Sequence, residues 1–177
     1  MSPQTSAVEP GSQRVLLELL HGTGAHIDPI GCFADLSAEV AGRKADAAPH
    51  TIWEWVSHLN YWMEFDLRRI IGEGPQYPEH ASEGWPPHSA PQSEAERHEA
   101  VKRFRELLGE FEALANSTPE ALSREVPPAT QRHTQQASSV LAMLWQTITH
   151  NSYHVGQIAL VRRVLGAWPP AAGEDTW

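Results

Sequence analysis

The sequence predicts an all-α protein: a four-helix bundle with one long crossover between its second and third helices. Three observations predict it. Apolar residues recur at spacings of three and four over four stretches, capping signatures open several of them, and no segment reads convincingly as a strand. The crossover is Gly72–Gln92, whose five prolines and three glycines bar a helix.

The first stripe begins near Gln13, with Val15, Leu16, Leu19 and Leu20, and stalls at His21-Gly22-Thr23-Gly24. Asp28-Pro29 then launches a second segment, expected to run through Val40 with Ile30, Phe33, Leu36 and Val40 inward. The first bundle helix is thus expected in two pieces, ended by Gly42 and the Pro49 region. Thr51-Ile52-Trp53-Glu54 fits the capping box, in which hydroxyl and carboxylate satisfy each other's orphan backbone donors. The long helix behind it carries Ile52, Trp55, Val56, Leu59, Trp62, Met63, Leu67, Ile70 and Ile71, and stops before Gly72 and Gly74.

A connection as long as Gly72–Gln92 is uncommon in a compact domain unless it crosses the bundle or covers a site. Ser93-Glu94-Ala95-Glu96 reads as a second capping box, opening a helix with Val101, Phe104, Leu107, Leu108, Phe111 and Leu114 inward. Thr118-Pro119-Glu120 fits one short capped turn, and Val126–Gln136 a loop. The last helix is expected from about Ser138 to Leu165, with Gly166 as its stop. One ordered domain over 13–168 follows, after a disordered lead-in at 1–12 and before a tail at 169–177.

Composition narrows the function classes. Of 177 residues, 13 are Lys or Arg and 22 Asp or Glu, a formal charge of 13 − 22 = −9. That sign opposes phosphate neutralisation and argues against a nucleic-acid binder. No apolar run approaches a membrane span. The single Cys32 cannot close an internal disulfide, so a reducing cytoplasm is expected, and Cys32 itself is read as core packing.

Ten histidines and seven tryptophans are many for this length, and Trp53, Trp55, His58 and Trp62 cluster. His150 and His154, four apart on a helix, stack on one face and can share an ion. Chance supplies about 0.6 such pairs (10 × 10/177), so the spacing alone decides nothing. Context adds weight. The pair shares its face with Met143, Thr147 and Val161, and His58 sits among Trp55, Leu59 and Trp62, so all three imidazoles are expected inside the bundle. Three histidines with an open fourth position is a common arrangement for zinc-like ions. Each histidine could equally be a hydrogen-bonded core residue.

His80, His88, His98 and His133 are expected at the surface, while His26 and His50, at helix entrances, are left open. Asn151 stands where zinc peptidases carry a Glu, which argues against that class. Glu54, one turn before His58, is a candidate acceptor for that imidazole, although its capping role explains it equally well.

The run His150-Asn151-Ser152-Tyr153-His154-Val155-Gly156-Gln157, with His58-Leu59-Asn60-Tyr61-Trp62 and Pro49-His50-Thr51-Ile52-Trp53-Glu54 upstream, resembles the DinB/YfiT-like superfamily over about Val15 to Trp168. The resemblance implies an up-down-down-up bundle, usually a homodimer. It implies one divalent ion, nickel or zinc, held by His58, His150 and His154, with Gln157 as a supporting candidate beside Glu54. Characterised relatives are thiol-dependent transferases and isomerases, and others are described as metal-dependent hydrolases. The expected function is therefore metal-dependent transfer of a low-molecular-weight thiol to a small electrophile. Hydrolysis and a non-catalytic metal module are the alternatives; for hydrolysis, Glu54 and Asp66 are the carboxylates available on the His58 helix.

Overall fold

The computed structural model describes residues 11–46, 48–130 and 137–171. Among these residues the regular structure is mostly helix. Helix α1, Ser12–Leu20, buries Leu16 and Leu20 one turn apart and ends at Gly22, whose φ of 72° leads the chain back on itself. A Cβ at Gly22 would meet the His26 ring at 2.4 Å, so no larger residue fits this turn.

The segment expected to run from Asp28 through Val40 is two short helices: α2, Pro29–Phe33, and α3, Ala38–Ala41. The break has an electrostatic cause. Asp35 turns out of the helical path to meet the buried Arg162 guanidinium, at 2.6 and 3.1 Å, and Ser37 then caps the new helix by accepting from the Val40 amide.

Helix α4, Ile52–Ile70, starts on the expected capping box. Thr51 Oγ1 accepts from the Glu54 amide at 3.2 Å, and Glu54 Oε2 accepts from the Thr51 amide at 2.6 Å. Helix α5, Glu94–Ala115, is capped by Ser93, but the second expected box does not close on Ser93. The Glu96 carboxylate takes the Gln92 amide instead. Helix α6, Pro119–Ser123, is the short capped turn, and α7 spans Val140–Val164 under a Ser139 cap.

Two features of the connections were not expected from the sequence. Glu125–Val126 (β1) and Ser138–Ser139 (β2) pair antiparallel, with Glu125 opposite Ser139, a ladder too short to leave an alternating pattern. Within the 72–92 crossover, Ala81–Gly84 forms a 3-10 turn, and Gln76 bridges Thr130, pinning the crossover to the β1 side of the bundle. The residues at 1–10, 131–136 and 172–177 lie outside the described part, and with them most of the lead-in, His133 and most of the tail.

The core is one cluster. Trp55 and Leu59 of α4, Phe104 and Phe111 of α5, Leu144, Val155 and Ile158 of α7, and Leu16 and Leu20 of α1 are all buried in it. Burying side chains of this size stabilises by about 1.5–3 kcal/mol each. Contacts between α4 and α7 run in opposite senses: His58 meets His150 and His154, Met63 meets Asn151, and the far end of α4 meets Arg124 and Pro127, which flank β1, the partner of the strand that leads into α7. This antiparallel seam carries the site. Among the described residues no helix is long and apolar enough to cross a membrane.

Candidate metal centre

His58 reaches the seam from the second turn of α4, and His150 and His154 from adjacent turns of α7. The sequence-level expectation for their neighbourhood is met in space: one ring nitrogen from each lies within 4.8 Å of the others. His58 and His154 are buried and His150 is half-buried. The Nε2 atoms of His150 and His154 are 3.2 Å apart. Two nitrogens on one zinc-like ion, each at about 2.0–2.1 Å with a tetrahedral angle, stand about 3.3–3.4 Å apart. The group could therefore hold a metal ion with little movement of α7.

Two of the ring nitrogens turned away from the centre are anchored. His58 Nδ1 donates to the Gly84 carbonyl at 2.8 Å, and His154 Nδ1 donates to the Gln157 amide oxygen at 2.6 Å. Each bond places the proton on Nδ1 and leaves the Nε2 lone pair facing inward, the tautomer a metal ligand needs. Burial pushes the His58 and His150 imidazoles down to about 4, helped by the neighbouring imidazoles, and pushes His154 down as well. At neutral pH all three are uncharged and available as ligands.

Trp85 of the crossover closes the centre. Its indole stacks on His58, centroids 4.0 Å apart at 17°, and meets His154 edge-on at 6.5 Å. A Cβ at Gly84 would come within 3.0 Å of Trp62 Nε1, so glycine lets the crossover press its carbonyl against His58. The only sequence signal for this role was the Gly84-Trp85-Pro86-Pro87 run inside a connection too long to be idle.

The other candidates fall elsewhere. Glu54 accepts no bond from His58: it closes the capping box, with its other oxygen 3.7 Å from His50 Nδ1, and the Gly84 carbonyl takes the place the sequence suggested for it. His50 stacks on Trp85 at 3.7 Å and forms part of the outer wall. His26 is tied to the Ile27 carbonyl and to Ser152 Oγ, away from the centre. His80, His88 and His98 are exposed. Cys32 is fully buried, its thiol pushed up to about 12 by burial. Across Gln157 from the centre lies an apolar cavity of about 180 Å³ walled by Ala48, Trp55, Leu160 and Val164.

A mainly helical bundle whose central seam gathers three uncharged imidazoles defines a class: helical proteins with a histidine site able to take a divalent ion. The model of the DinB superfamily matches residues 30–158, more than half of the chain and including all three histidines, and the protein belongs to that superfamily. No curated protein and no solved structure matches the chain.

Proposed function

We propose that His58, His150 and His154 hold one divalent metal ion, nickel or zinc, and that the protein transfers a low-molecular-weight thiol to a small electrophile. The observation that carries the first half is the convergence of three ring nitrogens within 4.8 Å, two of them oriented by hydrogen bonds at the far side of the ring. A ligand set of three neutral nitrogens leaves coordination positions open to a small molecule. When bound, the ion would supply the positive charge that lets a thiol ionise at neutral pH.

The residues of the chain do the rest. Gly84 and Gln157 fix the tautomers of His58 and His154, so both rings already turn an unprotonated nitrogen inward before an ion enters. Trp85 and Trp62 wall the His58 side of the centre with apolar surface, which favours a soft, weakly hydrated ligand such as sulfur over hydroxide. Cys32 takes no part, being buried and far from ionisation.

We assign the working form as a homodimer in the cytoplasm, built from the single domain at 13–168. Trp145, Tyr153, Leu160 and Val164 of α7 are large, apolar and exposed, and they share one face of the helix that a second copy would cover.

The test joins metal content to turnover. His154→Ala is expected to lose stoichiometric metal while keeping its helical circular dichroism, and the wild-type protein to consume a halogenated aromatic electrophile only when thiol is present. Full metal retention in the variant refutes the ligand set. Turnover without thiol indicates hydrolysis, and a melting temperature lowered by chelation with no turnover indicates a structural ion.

A further inference from the structure

Below the three histidines, the α4–α7 seam buries four polar side chains that its apolar packing does not require. Thr147 and Asn151, one turn apart on α7, are both 3% exposed, and Asp66 and Arg69, one turn apart on α4, are 4% and 2% exposed. Each has a fully buried polar atom with no hydrogen-bond partner in the protein: Thr147 Oγ1, Asn151 Oδ1, Asp66 Oδ1 and Arg69 Nε. Asn151 Nδ2 reaches only the soft sulfur of Met63, at 3.4 Å, and the Arg69 guanidinium stands 3.9 Å from Asp66, beyond hydrogen-bonding range.

Leaving a buried donor or acceptor unpaired costs about 1–3 kcal/mol per group, so four orphans in one seam point to water between them. The spacing suits it. Groups one helical turn apart are separated by about 5.4 Å, which one water bridges with two hydrogen bonds of about 2.8 Å. Asn151 adjoins His150 in the chain, Thr147 lies one turn further, and the antiparallel pairing that sets Met63 against Asn151 sets the next turn of α4, Asp66, against Thr147.

We propose that this seam is a hydrated passage leading from the histidine centre past Asn151 and Thr147 to Asp66, and that Asp66 takes up the proton lost by a thiol on entering the centre. The proposal rests on the metal reading above and supplies the proton acceptor that reading lacks. In the step, the S–H bond breaks, sulfur keeps the electron pair, and the proton passes along the water row to the Asp66 carboxylate, which becomes a carboxyl group. Burial already pushes Asp66 up to about 7, against the opposing pull of Arg69, so it can both accept and return a proton near neutral pH. Arg69 is the charged group whose field acts on it, and the facing α7 side chains, Thr147 and Asn151, are neutral.

The experiment uses the full chain loaded with cobalt(II) and the probe thiol β-mercaptoethanol. Visible absorption reports thiolate on cobalt, and infrared difference spectra recorded on the same addition report carboxyl protonation. The expected result is a thiolate absorption accompanied by a new protonated-carboxyl band, the band being absent in the near-isosteric Asp66→Asn and weakened in Thr147→Val, with helical circular dichroism retained. No cobalt binding, or cobalt without thiolate absorption, overturns the metal and thiol reading and this proposal with it. Thiolate absorption without a carboxyl band, or with the band persisting in Asp66→Asn, overturns the passage alone.

Discussion

The amide oxygen of Gln157 lies 2.6 Å from Nδ1 of His154, one turn back along the same helix. A helix brings i and i+3 side chains together, so α7 carries both a candidate ligand and the group that aims it. Losing such an outer partner weakens metal binding by about 10–100-fold. Gln157→Leu is therefore expected to lower zinc affinity by that factor in chelator competition, with helical content unchanged, while Gln157→Glu, which keeps an acceptor, retains it. Unchanged affinity in the leucine variant would show that packing alone orients His154.

His21 predicts a pH dependence of opposite origin. Its Nδ1 meets Asp28 at 2.8 Å and its Nε2 meets Glu112 at 2.9 Å, clasping the end of α1 to α2 and α5. Burial by itself lowers its proton affinity, but the bonds to the two carboxylates outweigh this and the net shift is upward from 6.5. A group whose folded value is raised contributes stability that is complete below its unfolded value and disappears as pH rises through the folded one. His21→Gln should thus lower the urea midpoint most at about pH 5.5 and converge with wild type at about pH 9. A constant difference across that range would assign His21 to packing alone. The effect should be modest, since the ring is more than one-third exposed.

Arg162 is a charged residue held deep in the fold, 1% exposed. Its guanidinium serves Asp35 with both branches and also donates to the Cys32 and Ala167 carbonyls, joining the α2–α3 break to the end of α7. Removing one member of a buried pair is costly because the other is left uncompensated. Asp35 is partly exposed, so the lower end of that range applies: Arg162→Met should cost about 3 kcal/mol, read as a fall in Tm of about 6–12 °C. Asp35→Asn, which removes the charge and keeps one acceptor oxygen, should cost less because Arg162 keeps its bonds to the Cys32 and Ala167 carbonyls, and equal losses would place the whole effect in the Asp35–Arg162 pair.

Much of this protein was legible before folding was considered. The stripe of α4, its Thr51–Glu54 box and the Gly166 stop of α7 are local matters of period, capping and backbone freedom, and they stand where the residues place them. The placement of His150 with His154 on one inward face is equally local. What local reasoning missed depended on distant partners. After Phe33 the helix breaks where Asp35 finds Arg162, 127 residues away. The β1–β2 ladder is two residues per strand, below any periodic signal.

By itself, then, the chain's order of residues determined the helices, their inward faces and the supply of imidazoles, because each follows from interactions within a few turns. Only the tertiary structure decided that Gly84 rather than Glu54 orients His58, that Trp85 roofs the centre, and that Asp66, Arg69, Thr147 and Asn151 are buried with polar atoms left unpaired. Those facts turn on which surfaces of α4, α7 and the crossover meet. Such meetings are settled by burying apolar area over the whole core, a sum in which no local stretch of residues holds the deciding share.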